Sequence, residues 1–184
     1  LGATATSGLT VEYTSSNTSV AQISGNVLTI VGAGTANIIA AQAGDANYNP
    51  APSVSRSLVV NPATLTISNP LVTDKVYNGD NLAVITGTLS GVIGSDVVNL
   101  VGTGTFASTD VANGISVTST STLSGAQAGN YSLVQPTGLS GNIIGGIQTI
   151  TFNALPQYST ATSTFTLSAT SNATGATIEY TSSN

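Results

Sequence analysis

The sequence predicts an all-β chain, and three observations carry that expectation. Val, Ile and Thr alternate with polar residues in short runs, as in "LTVEYT" (9 to 14), the pattern of half-buried strands. Gly, present 20 times, and Asn interrupt those runs at short intervals, as turns do. No window of about 11 to 18 residues holds a helical apolar period, so no helix is expected.

Composition narrows the class. Hydrophobic residues make up 40% of the 184, but charged ones only 5%, against about a quarter in ordinary domains. Disordered chains pair low hydrophobicity with high net charge, and this chain does neither, so it should fold. Cys, His, Trp and Met are all absent, which removes disulfides and thiolate metal sites. Lys75 and Arg56 are the only cations and the formal charge is −5, a balance that excludes nucleic-acid partners and anionic membrane surfaces. The longest apolar run, "ANIIAA" (36 to 41), falls far short of the roughly 20 residues of a membrane-spanning helix.

The chain repeats itself. "LGATATSGLTVEYTSSN" (1 to 17) aligns with "LSATSNATGATIEYTSSN" (167 to 184), with one inserted residue. Leu1 matches Leu167, Ala3 matches Ala169, Val11 matches Ile178 and Tyr13 matches Tyr180. The period is about 167 residues, so the chain is expected to span just over one unit of a longer repeating protein, cut within a domain.

Strand and turn signals divide it into three blocks. The first, 1 to 62, carries strands at 9–14, 20–24, 26–31, 34–42 and 53–61, with a tight hairpin at "SGN" (24 to 26) and a loop at 45–53. The second, 63 to 146, carries "TLTIS", "DKVYNGD", "LAVITGTLSG", "DVVNLVGTGTF", "ISVTSTSTLSG", "NYSLVQP" and "GLSGNII". The third, 147 to 184, offers "QTITF" (148 to 152) and "STFTLSAT" (163 to 170) and is equivalent to the missing start of the first. Set before residue 18, it brings the first block to about seven strands, the count of a sandwich. Left as written, the first block exposes an edge and an apolar face. Either the natural chain continues on both sides, or the tail of one copy completes the head of the next.

The words "VEYTSSNTSVAQIS", "GAGTANIIAAQ" and "AGDANY" in the first block resemble bacterial immunoglobulin-like (Big) and MBG-type repeats. The second block resembles the YDG domain through "DKVYNGDNLAVITGTLSGVIGSDVVNL" and "LSGAQAGNYSLVQPTGLSGNI". Tyr77-Asn78-Gly79 stands where that family has Tyr-Asp-Gly, a change that should keep the turn. The resemblance implies tandem immunoglobulin-like β-sandwiches, as beads on a string or a filament, in an adhesin or fibre on the bacterial cell surface. It supplies no catalytic residues.

Each chemical motif has a plainer reading beside it. "LTIVGAGTA" (28 to 36) suggests a dinucleotide loop, but Asn37 takes the third glycine's place and a strand follows. "LVGTGTF" (100 to 106) repeats the pattern, so Gly32, Gly34, Gly102 and Gly104 are expected at turns, bulges or close approaches. Without His or Cys there is no nucleophile–base pair. Glu12 and Glu179 share one repeat position, and an Asp80–Asp96 pair has no supporting motif, so no enzyme and no cofactor are expected. Asp74, Asn78, Asp80 and Asn81 on one loop, and Asp110 and Asn113 on another, offer calcium-type oxygens. Neither loop has a known calcium spacing, and turn capping is the competing reading.

Lys75, beside Asp74, is either a solvated edge charge or one partner of a Lys–Asn isopeptide cross-link. Tyr48 and Tyr131 follow Asn late in their blocks, so their rings should pack inward with the hydroxyl on backbone, as in a tyrosine corner. A stacked-aromatic sugar site is the alternative. The sequons at Asn17, Asn130 and Asn172 read as turn chemistry. Function is therefore expected to be structural: a repeat unit of an extracellular fibre or stalk whose partners are copies of itself. The rival is a carbohydrate- or surface-binding module, to which the row Ser116, Thr118, Thr120 and Thr122 on one strand face would contribute.

Overall fold

The computed structural model describes residues 1–159, 161, 164–173 and 175–183. Ser163, where one predicted strand begins, Thr174 of a sequon and Asn184 of the repeat lie outside the described residues. The chain is all-β, with one 3-10 turn at Ala128–Asn130 as the sole helical element among the described residues.

In the N-terminal region, β1 (Glu12–Ser15), β4 (Gly34–Gln42) and β5 (Ala51–Val60) form an antiparallel sheet in the order β1-β4-β5. A separate hairpin joins β2 (Ala21–Ser24) to β3 (Val27–Ile30) through Gly25 at φ 59. β4 has the predicted bounds. β5 starts two residues before its predicted position and takes in Pro52, which an edge strand tolerates because its missing N–H faces no ladder partner. β1 starts three residues late, after a turn in which Gly8 N–H donates to the Ala5 carbonyl at 3.0 Å. Val20, Ala21 and Ala36 are the buried apolar residues here, a thin core for a sheet of this size.

The middle region is a seven-stranded sheet in the order β13-β6-β8-β10-β11-β14-β7. Its strands are β6 (Ala63–Val72), β7 (Lys75–Val76), β8 (Leu82–Ser90), β10 (Thr103–Phe106), β11 (Ala112–Ser119), β13 (Tyr131–Leu133) and β14 (Leu139–Ile144). β13 runs parallel to β6 and β14 parallel to β7, while the other pairs are antiparallel. A small ribbon pairs β9 (Asn99–Val101) with β12 (Thr122–Ser124).

Two predicted strands are thus each split into two. The break between β9 and β10 falls at Gly102, where the Ile85 carbonyl presses so close that no Cβ would fit. The break between β11 and β12 is held by Ser121, whose Oγ accepts from Thr103 N–H at 3.2 Å and donates to the Thr103 carbonyl at 3.2 Å. The sheet also curls. Asn69 at φ 50, followed by Pro70, interrupts β6, and a Cβ on Gly141 of β14 would stand 2.5 Å from Val72 of β6. The curl closes over Ala83, Ile85, Phe106, Val117 and Ile143. In the C-terminal region β15 (Ile150–Phe152) pairs antiparallel with β16 (Ala169–Ser171). The predicted strand at 163–170 is realised at its end alone.

Candidate functional site

Two apolar grooves flank the closed middle region. The first, of about 580 Å³, is on the N-terminal region. Leu1, Ala3, Val11 and Tyr13 line it together with Leu28, Ile38, Val54 and Leu58. The β1-β4-β5 sheet supplies Tyr13, Ile38, Val54 and Leu58 and the β2-β3 hairpin supplies Leu28, and Val54 is 52% exposed.

The second groove, of about 500 Å³, is on the C-terminal region. Leu167, Ala169, Ile178 and Tyr180 line it together with Ile150, Phe152, Leu155 and Phe165. The first four are the repeat equivalents of Leu1, Ala3, Val11 and Tyr13. The equivalent residues are held alike: Tyr13 Oη accepts from Ala3 N–H at 2.6 Å, and Tyr180 Oη accepts from Ala169 N–H at 2.9 Å. Tyr180 also meets Phe152 edge-on, ring centroids 6.0 Å apart. Tyr13 has no such ring against it among the described residues. Each groove therefore contains one set of repeat-equivalent residues, joined in the first by Leu28, Ile38, Val54 and Leu58 and in the second by Ile150, Phe152, Leu155 and Phe165.

The N-terminal and middle regions are joined with no slack, since β5 ends at Val60 and β6 starts at Ala63. Asn130 Oδ1 accepts the Ala33 N–H at 2.9 Å, and Gly32 lies so near that an added Cβ would stand 2.8 Å from that oxygen. Behind this contact Tyr131 is buried, its hydroxyl donating to Asp96 Oδ2 at 2.6 Å and accepting from Ile93 N–H at 3.0 Å. The bond to Asp96, with burial, raises the phenol above its ordinary pKa. Tyr48, expected to match it, is instead 52% exposed. Asp45 Oδ1 accepts from Asn47 N–H at 2.8 Å and Tyr48 N–H at 2.9 Å, an Asx turn that directs the loop outward over an uncovered sheet.

The predicted oxygen-rich loop satisfies itself. Lys75 Nζ contacts Asp80 Oδ1 at 2.6 Å, Leu82 N–H donates to the same oxygen at 2.9 Å, and Asn78 Nδ2 donates to Asp80 Oδ2 at 2.7 Å. The Lys75 bond first, then the Leu82 amide, holds the Asp80 carboxyl below its ordinary value. Asp74 accepts from Asn142 Nδ2 at 3.0 Å, and Asp110, on a separate loop, accepts from Ser108 Oγ at 2.9 Å. Among the described residues no group of three acidic, His or Cys side chains converges as metal ligands do. Lys75 thus faces a carboxylate across a turn, with Gly79 at φ 87 closing the Tyr77-Asn78-Gly79 bend.

The family model of the YDG domain matches residues 61–139. This stretch is a YDG domain. No curated protein and no solved structure matches the chain. The YDG match begins at Asn61, between β5 and β6, and ends on the first residue of β14. Within the YDG domain Gly104 and Gly102 both sit against β8, the former with Ile85 Cδ1 2.9 Å from where a Cβ would be. Gly34, the first residue of β4 in the N-terminal region, has φ 136. Ser116, Thr118, Thr120 and Thr122 are exposed, while Val117, Ser119 and Ser121 between them are buried. Gln135, which the sequence did not single out, serves those buried serines: its Oε1 accepts from Ser119 Oγ at 2.6 Å and Ser121 N–H at 3.1 Å.

Proposed function

We propose that the chain is a structural repeat unit of an extracellular bacterial fibre or adhesin stalk. In this reading a YDG domain alternates with an MBG-type immunoglobulin-like domain, the latter built from residues 147–184 of one copy and 1–62 of the next. The observation that carries it is the pair of half-cores. Tyr13 and Tyr180 anchor repeat-equivalent residues in two separate apolar grooves, each of which adds a different set of apolar residues to them. An uncovered apolar sheet face is an association or aggregation surface unless something is laid on it.

The work of such a unit is mechanical. Ladder hydrogen bonds and a Val/Ile/Phe core stiffen the YDG domain, while the Asn61-Pro62 junction and the Asn130–Ala33 bond limit bending towards the N-terminal region. Arrayed copies multiply weak surface contacts into avidity without any single strong site. A low charge density leaves lateral faces free of strong mutual repulsion. The test is antibody against the YDG domain applied to intact cells of the source bacterium. Labelling along regularly spaced surface fibres is the expected result, and labelling confined to broken cells would overturn the reading.

A second reading, a carbohydrate- or surface-binding module, draws on the exposed row Ser116, Thr118, Thr120 and Thr122. Replacing Thr118 and Thr120 by Lys would abolish adhesion to a glycan-coated surface under that reading and leave adhesion unchanged under the structural one.

A further inference from the structure

We infer that Asn78 is a site of spontaneous modification: the Gly79 nitrogen attacks the Asn78 side-chain amide and converts it, through a cyclic imide, into a carboxylate. Asn-Gly occurs twice in the chain, at Asn78-Gly79 and Asn113-Gly114. Glycine makes such a pair reactive, because with no Cβ its nitrogen can come close to the preceding side chain. The structure treats the two pairs differently. Asn78-Gly79 lies exposed in the turn between β7 and β8, with Gly79 at φ 87 and nothing within 4 Å of where its Cβ would be. Among the described residues no group accepts the Gly79 N–H. Asn113-Gly114 lies within β11, where Gly114 N–H donates to Asn142 Oδ1 at 2.9 Å and the preceding Ala112 pairs with Ile143.

The turn also polarises the amide under attack. Asn78 Oδ1 accepts from Asp80 N–H at 3.2 Å, so a donor already stands where negative charge develops on that oxygen as the nitrogen adds. The step balances with water as the sole co-reactant. Solvent base takes the Gly79 amide proton, the nitrogen closes on Asn78 Cγ, and Nδ2 departs as ammonia after taking a proton from water. Water then opens the imide at either carbonyl, giving aspartate or its isomer with the backbone routed through the side chain. Asn113 has the same atoms, but its nucleophile must first give up the bond to Asn142. The product changes the turn at Asn78. Its Nδ2 donates to Asp80 Oδ2 at 2.7 Å, whereas a carboxylate there has no proton to give and faces Asp80 as a like charge. Each converted copy gains one negative charge in a chain whose formal charge is −5, so the turn works as a slow charge switch.

The test holds the folded 184-residue chain at mildly alkaline pH and follows it by peptide mass spectrometry, with cleavage after Phe106 separating the two Asn-Gly pairs. The segment holding Asn78 should show the mass gain of an amide-to-acid change about tenfold faster than the segment holding Asn113, since one hydrogen bond must break before Gly114 attacks. Asn78→Gln should remove the early gain. Asn142→Ala, which frees the Gly114 N–H, should narrow the ratio, and so should denaturant, in which both pairs are equally open. Equal rates in the folded chain, a faster gain at Asn113, or no gain at Asn78 would overturn the inference. So would a ratio that Asn142→Ala and denaturant both leave unchanged, because neighbouring residues rather than the fold would then set it.

Discussion

The YDG domain and the regions that flank it use the same residue types to opposite ends. In the middle region, which holds the YDG domain, the sheet curls until Val72 meets Gly141, and Phe106 and Leu65 are 1% and 0% exposed. In the N-terminal region strands of equal length stay open, and Val54 and Val59 face solvent. Alternating β-branched residues make sheets, but closure needs specific devices: the break at Asn69-Pro70, the absent side chains at Gly102 and Gly141, the Ser119–Ser121–Gln135 corner. Where those are missing, closure has to come from another piece of chain.

Substitutions can break that contrast. The largest effect is expected from Phe106→Ala, which should cost about 3–5 kcal/mol by leaving a cavity in a core that cannot collapse. Val54→Ala, an equally apolar truncation, should stay within about 0.5 kcal/mol for the isolated chain and weaken self-association instead. Thermal melts with paired sedimentation runs read both, and a large loss of stability from Val54→Ala would erase the distinction between the regions. Gly141→Ala comes next, at about 1–3 kcal/mol, because its methyl has Val72 on one side and Phe106 on the other.

Tyr131→Phe should lower Tm by a few degrees, leaving Ile93 N–H and Asp96 without their shared partner. Because folding raises the Tyr131 pKa, its contribution is complete below the ordinary phenol value of 10.0 and is lost as pH rises through the raised one. Alkaline melts of the parent should therefore fall towards those of Tyr131→Phe. Asp80 runs the other way. Its lowered pKa stabilises the turn above the ordinary value of 3.8 and the contribution is lost as pH falls below it, so Asp80→Asn should flatten the acid limb slightly. Smallest of all, a chelator such as EDTA should leave Tm unchanged, since Lys75 already satisfies the Asp80 carboxylate. A drop of several degrees would restore the calcium reading of that loop.

Much of this was legible in the sequence. Period-two alternation located nearly every strand, and β4 was placed residue for residue, because Gly34 and the turn after Gln42 punctuate it on both sides. The repeat also paired Leu1 with Leu167, Ala3 with Ala169, Val11 with Ile178 and Tyr13 with Tyr180, though not the grooves those residues line. The splits at Gly102 and Ser121 were not legible, because the steric conflict with Ile85 arises between strands far apart in the chain. Tyr48 and Tyr131 share a local word, Asn-Tyr, but only Tyr131 has a closed core to enter; tertiary surroundings decided between them. Asn130 was read as turn chemistry without its bond to Ala33, and Gln135 was not singled out, since a single polar side chain in a loop carries no period.

The central claim is that the two open half-cores complete each other, and the mass of the 184-residue chain across a concentration series tests it most directly. The account predicts a ladder of head-to-tail assemblies that lengthens with concentration and dissolves in denaturant to a single 18.1 kDa species. A monomer at every concentration, with the N-terminal groove still open to solvent, would contradict it.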